Sequence, residues 1–146
     1  CDYSSLFLST FADDTIVSFE ATRLAPGRKN FNRIEVNGSK GSLYWCFEEL
    51  NELYLYRTSD PPAAQGFRRI LATEGDHPYA GNWWPPGHML GYDHGFANAA
   101  YDLVQCLAAG KPCSPDFQDG AQCVAVLEAV DQSDESGSWT TVERIE

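Results

Sequence analysis

The chain has 146 residues, with 10 Lys and Arg against 21 Asp and Glu, and a formal charge of −11. That is the length of one domain with room for one sizeable core. An apolar share of 43% with 13% aromatic residues excludes disorder, and the acidic balance argues against a nucleic-acid partner, which would need clustered Lys and Arg. The longest near-apolar run, residues 121–130, already holds Gln122 and Glu128 and falls short of the ~20 apolar residues of a membrane helix.

The sequence starts at Cys1, its one Met is Met89, and a strand-like run begins at Tyr3. A lipid-modified Cys1 would usually be followed by a flexible tether, so the better expectation is a piece of a longer chain, with more sequence ahead of it. Five cysteines, Cys1, Cys46, Cys106, Cys113 and Cys123, show no C-x-x-C spacing. Cys106 and Cys123 fall on apolar helical faces, and reduced thiols in a cytoplasmic protein are expected.

Residues 3–57 read as a meander of strands. Residues 5–11 and 15–23 flank the Asp13-Asp14 turn, and 24–30 form a loop around Pro26-Gly27. Residues 32–37 alternate, with Ile34 and Val36 on one face. After the Gly38–Gly41 turn, Leu43, Trp45 and Phe47 alternate with Tyr44, Cys46 and Glu48. Residues 53–57 and 66–73 add two strands around a Pro61-Pro62 loop. Residues 74–92 have no period and read as a long ordered loop.

Two helices follow. Phe96, Ala99, Ala100, Leu103, Val104 and Leu107 have the spacing of an amphipathic helix, stopped by Gly110 and Pro112. Pro115 and Asp116 open a second helix, with Cys123, Val124, Leu127 and Val130 expected on its buried face. Ser136-Gly137 ends it, and residues 139–145 read as a last strand. The order predicts an α+β domain over residues 1–146: a largely antiparallel, open, mixed sheet with two helices packed on one face.

No G-x-G-x-x-G and no G-x-x-x-x-G-K-[ST] occurs, so the sequence shows no nucleotide grip of its own. His77, His88 and His94 stand 11 and 6 residues apart, which matches no common zinc motif. Asp93 and His94 are adjacent, and neighbours on a helix are not expected to face each other, so no Asp–His dyad is expected. The densest feature is the loop holding His77-Pro78-Tyr79, Trp83-Trp84-Pro85-Pro86-Gly87-His88 and Gly91-Tyr92-Asp93-His94. Prolines stiffen it, its rings can stack on sugar C–H faces, and His and Asp can bond hydroxyls. An equally open reading packs those aromatics under the loop or into a subunit interface. Arg23, Arg28 and Lys29, with Asn30, form a second patch, either solvated loop charge or a polar edge facing a substrate or partner.

Several segments, taken in order, resemble one family. They are Phe11-Ala-Asp-Asp-Thr15, Thr22-Arg23 through Gly27-Arg28-Lys29-Asn30, Glu35-Val-Asn-Gly-Ser-Lys-Gly-Ser42, Asn51-Glu-Leu53, Gly66-Phe-Arg68 and the loop from Trp83 to His94. Over nearly the whole chain they are similar to the C-terminal domain of the Gfo/Idh/MocA oxidoreductases, named for glucose-fructose oxidoreductase and inositol dehydrogenase. The sugar and sugar-derivative dehydrogenases of the family are the nearest in likeness. Asp14 stands where family members usually have Gly.

The resemblance implies a two-domain enzyme, with a Rossmann domain for NAD(P) ahead of an α+β domain that binds substrate and builds oligomers. It also implies that the cofactor site, the Glu-Lys-Pro lysine and the Asp-x-x-x-His pair lie outside this chain. No Glu-Lys and no such Asp–His spacing occurs here, so no catalytic, cofactor-binding or metal-binding residue is assigned. The expected function is the substrate-binding and assembly half of an NAD(P)-dependent sugar or polyol dehydrogenase, inactive without its nucleotide-binding domain. A non-enzymatic carbohydrate-binding or oligomerisation module is the alternative. Arg23, Trp84, His88, Asp93 and His94 are expected nearest the sugar, as positioning groups, while His77 is expected to fix the loop. A homo-oligomer through the sheet is the expected assembly.

Overall fold

A computed structural model describes residues 3–145, and the reading attached to Cys1 lies outside them. The chain divides into two compact units, one built from its two ends, up to Pro26 and from Asp102 onward, and the other from Gly27–Tyr101.

In the first unit, β1 (Ser4–Thr10) and β2 (Ile16–Thr22) form an antiparallel hairpin. Phe7 lies opposite Phe19, and the two rings stack at 4.6 Å. Asp14 adopts φ +64° in the connecting turn. A short polar side chain tolerates this left-handed geometry better than most. The Asp13 carboxylate accepts the Thr15 N–H at 3.2 Å and closes the turn, so the departure from Gly is absorbed locally.

The second unit carries a four-stranded antiparallel meander: β3 (Arg33–Gly38), β4 (Gly41–Cys46), β5 (Glu52–Arg57) and β6 (Arg68–Leu71). A Cβ on Gly41 would stand 2.2 Å from the Tyr56 carbonyl oxygen, so only glycine fits there. The register places Glu35, Tyr44, Tyr54 and Arg69 in one row. On the other face run Ile34, Val36, Leu43, Trp45, Leu53 and Leu55. Ile34 and Val36 remain 56% and 54% exposed.

Two helices complete the α+β class, α1 (Tyr92–Ala109) and α2 (Phe117–Ser136). Asp116 caps α2: its carboxylate accepts the Gln118 and Asp119 N–H groups while Asp119 accepts the Asp116 N–H. Gly137, at φ +63°, ends it. All ladders among the described residues are antiparallel, and the strands are shared between a two-stranded and a four-stranded sheet.

Two expectations are corrected. The stripe of α2 that is buried is Ala125 and Ala129, while Cys123, Val124 and Leu127 are exposed and Val130 is half-buried. The helix is apolar over a wide arc, and the small residues are the part of it that packs. Residues 139–145 are not a strand. The Gln122 amide donates to the Glu143 carbonyl at 2.9 Å and accepts from the Ile145 N–H at 3.1 Å, and Gln118 donates to the Ile145 carbonyl at 3.3 Å. Side-chain amides on α2 thus take backbone groups that a ladder would have used. The predicted face of α1 keeps its spacing, yet Phe96, Leu103, Val104 and Leu107 are all exposed.

The polar row on the meander links charge to aromatic rings. The Arg33 guanidinium lies 4.6 Å from the Tyr44 ring centre, and Tyr44 stacks on Tyr54 at 4.5 Å. Tyr54 Oη donates to Glu52 at 2.9 Å, and Arg69 grips the same carboxylate. The hydrogen bond to Glu52, helped by desolvation, pushes the Tyr54 phenol up to about 12. The folded chain therefore holds this proton above pH ~10, where an unfolded tyrosine releases it. The stabilising contribution is complete below pH ~10 and is lost as pH rises to about 12. A tyrosinate absorbance titration is expected to show the Tyr54 phenol near that value, and Glu52→Gln should return it toward the ordinary range.

Candidate functional site

The candidate site is the connection from β6 to α1 in the second unit. Hydrogen bonds from its two flanks stiffen it. Thr73 is buried, and its hydroxyl accepts the Gly87 N–H at 3.1 Å. His77 Nδ1 accepts the Glu74 N–H at 3.0 Å, and the His77 N–H returns to the Glu74 carbonyl at 2.9 Å, so His77 fixes the local turn. Tyr79 takes φ +64° and leads into a 3-10 turn at Ala80–Asn82, with Ala80 buried.

The far end of the loop is held by one side chain. The Asn51 carboxamide donates to the Leu90 carbonyl at 2.8 Å and accepts the Leu90 N–H at 3.0 Å. Asn51 sits just before β5, so this pair ties residue 90 to the sheet. Gly91 and α1 follow at once. Phe47, Tyr92 and Phe96 then form an edge-on aromatic series at 5.8 and 5.0 Å.

At the start of α1 four side chains meet. Trp83 stands edge-on to His94, with ring centres 4.5 Å apart, and its Nε1–H donates to Asn98 Oδ1 at 3.0 Å. Asp93 Oδ1 lies 3.2 Å from His94 Nδ1. The adjacency of Asp93 and His94 therefore does not keep them apart. In the first turn of a helix no preceding turn fixes the side chains, and Gly91 leaves them room. A Cβ there would stand 3.1 Å from the Asp93 carboxylate and 3.7 Å from the His94 ring.

The predicted site residues are thus distributed unevenly. Asp93, 91% exposed at its side chain, and His94, 18% exposed, come together. Trp84 is 52% exposed beside the part-buried Trp83. His88 Nδ1 lies 2.9 Å from the Pro85 carbonyl and donates to it, since that oxygen can only accept. Arg23 belongs to the first unit, where its N–H donates to the Tyr3 carbonyl at 2.8 Å. Within the cationic patch, Arg28 lies 3.8 Å from the Phe31 ring centre and pairs with Glu48 at 3.4 Å. Glu48 also accepts the Lys29 and Asn30 N–H groups at 2.8 and 3.3 Å. The Lys29 contact foremost holds the Glu48 carboxyl below its usual range.

Asn51, Thr73 and Asn98 were given no role by sequence, and Trp83 was read only as one ring of the loop. Asn51 and Thr73 sit at strand ends, where polar residues are ordinary, and Trp83 meets Asn98 fifteen positions away. No local spacing announces such a pair. Among the described residues no cluster of three or more His, Cys, Asp or Glu could hold a metal, and no helix is long and apolar enough to cross a membrane. Cys46, Cys106, Cys113 and Cys123 are free thiols.

An antiparallel meander with a stiffened aromatic loop leading into a histidine-bearing helix defines the class, an α+β domain. The chain belongs to the Gfo/Idh/MocA family: residues 4–142 match the family model described as the oxidoreductase family, C-terminal alpha/beta domain. It is similar to levoglucosan dehydrogenase of Pseudarthrobacter phenanthrenivorans, 35% identical over 136 residues, covering 92% of this chain and 35% of that protein. The crystal structure of an oxidoreductase domain protein from Kribbella flavida is 51% identical, with TM-score 0.94 over 98% of this chain and 38% of its own. Levoglucosan dehydrogenase in complex with NADH and levoglucosan is 34% identical, also with TM-score 0.94, over 99% of this chain and 39% of its own. The chain thus spans little more than a third of the length of these relatives.

The Asn51 clamp sets a first test of the loop. Asn51→Ala removes two part-buried hydrogen bonds and leaves the Leu90 peptide without partners, at a cost of about 2 kcal/mol. Urea unfolding should show that loss, and hydrogen exchange at the Leu90 amide should quicken.

Proposed function

We propose that this chain is the substrate-binding and assembly half of an NAD(P)-dependent sugar or polyol dehydrogenase, working in the cytoplasm. The observation that carries the reading is the likeness, over 99% of the chain, to an enzyme whose structures hold NADH with levoglucosan or L-sorbose. The loop supports it chemically. In this reading Trp84 stacks on the C–H face of the sugar, and His88, Asp93 and His94 bond its hydroxyls. Their work is positioning, and no residue of this chain is assigned to proton transfer.

The residues present do not fit the cofactor's pyrophosphate. A helix N-terminus suits an anion only when it is free of competing negative charge. Here α1 carries Asp93 in its first turn, and α2 is capped by the Asp116–Asp119 pair. The nucleotide is therefore assigned to a separate domain of the complete protein, and no step through it is placed on this chain. The exposed apolar face around Ile34 and Val36 is assigned to contact with a second copy.

Calorimetric titration of the chain alone with NADH and NADPH is expected to show no micromolar binding. In the complete protein, assayed for NAD(P)+ reduction with levoglucosan and other sugars and polyols, His94→Ala should chiefly raise KM, by about 10–100-fold. Tight binding of the cofactor by the chain alone, or a complete protein that oxidises no sugar or polyol, overturns the reading. Light scattering is expected to find dimers or larger assemblies, and a clean monomer at high concentration would remove the assembly role.

A further inference from the structure

His94 has two ring nitrogens, and the structure fixes the role of one. The Gly91 N–H lies 3.0 Å from Nδ1. A backbone amide can only donate, so Nδ1 accepts, and in this arrangement the ring proton sits on Nε2. Asp93 Oδ1, 3.2 Å from the same nitrogen, is also an acceptor and supplies no proton to it. With Nδ1 occupied, Nε2–H is the polar group the ring has left to offer.

The ring is held from its side by Trp83. The indole meets the imidazole edge-on, at 4.5 Å and 75°, and is itself anchored by its Nε1–H to Asn98. Asn98 lies one turn beyond His94 on α1. The Gly91 donor is placed in turn by Leu90, which Asn51 grips through both of its backbone groups. Trp83, Asn98 and Asn51 thus converge on the orientation of one imidazole.

We propose that Trp83 is a positioning residue that holds His94 as an Nε2–H donor toward an acceptor oxygen of the ligand. A fixed Nε2–H donor matches an acceptor oxygen such as a hydroxyl of a sugar or polyol, and the exposed Asp93 carboxylate, which lies on the Nδ1 side of the ring, stands apart from that contact. The choice of a sugar or polyol hydroxyl rests on the sugar dehydrogenase reading, whereas the placement of the ring proton does not.

Two measurements separate the two claims. Long-range nitrogen–proton correlation spectra of the 15N-labelled chain should show the Nε2–H tautomer for His94, assigned by its disappearance in His94→Gln. Trp83→Phe, which keeps an edge but loses the anchor to Asn98, should show a mixture of tautomers. Asn98→Ala, which removes the same anchor without changing any residue of the loop, should do the same. An Nδ1–H pattern in the parent chain, or one unchanged tautomer in both variants, overturns the positioning role. In the complete protein His94→Gln places an amide donor where Nε2 was and should recover KM to within about 3-fold, while His94→Asn should leave it raised about 10–100-fold. Equal KM values for the two variants overturn the donor assignment. A complete protein that oxidises no sugar or polyol removes the sugar hydroxyl as the acceptor, and the spectra still decide the tautomer.

Discussion

The loop that ends at His94 depends on the pairing of one carboxamide with one peptide group. Asn51 satisfies both the N–H and the C=O of Leu90, as a neighbouring strand would. A side chain that mimics a strand in this way stops the loop from sliding along the sheet, because no other register offers both partners. Thr73 performs a lesser version of the same task on Gly87. Just ahead of Gly87, Pro85 and Pro86 restrict the backbone further. The aromatic and polar groups of the loop inherit their positions from these few backbone contacts.

Packing supplies less than usual. Among the described residues only Cys46, Thr73, Ala80, Ala125 and Ala129 are buried, and all five are small. The larger apolar side chains of the meander and of both helices keep much of their surface open. A row of stacked and ion-paired groups, from Arg33 across Tyr44 and Tyr54 to Glu52 and Arg69, bridges all four strands of the meander. Exposed ion pairs of this kind are each worth little. Their use here is to set strand register on a face where no dense core does so.

Sequence patterning was most legible where a local rule acts alone. Alternation found β3 and β4, the Gly residues at 110 and 137 ended both helices, and Asp116 announced the start of α2. Patterning failed where two elements compete for the same groups. Residues 139–145 are rich in strand-favouring residues, Trp139, Thr140, Thr141, Val142 and Ile145, but Gln118 and Gln122 reach their peptides first. On α2 the spacing identified an apolar arc, and only the structure shows that the alanines are the part that packs. The candidate site was half legible. Residue types placed the loop, whereas the partners of His94 depend on contacts between Trp83 and α1 and on a glycine whose missing methyl lets two side chains meet.

The division of the chain into units has a consequence for how it folds. The unit Gly27–Tyr101 is continuous, and its strands pair in sequence order, so each ladder closes only a short loop. The other unit draws on segments from both sides of it and must close a loop that contains the whole of Gly27–Tyr101. The entropy of closure grows slowly with length, about 0.6 kcal/mol per doubling, but it must be met before distant contacts return anything. A loop that has already folded is also far shorter, end to end, than the same residues unfolded. The meander is therefore suited to form first, and its formation brings within reach the two termini from which the rest is assembled.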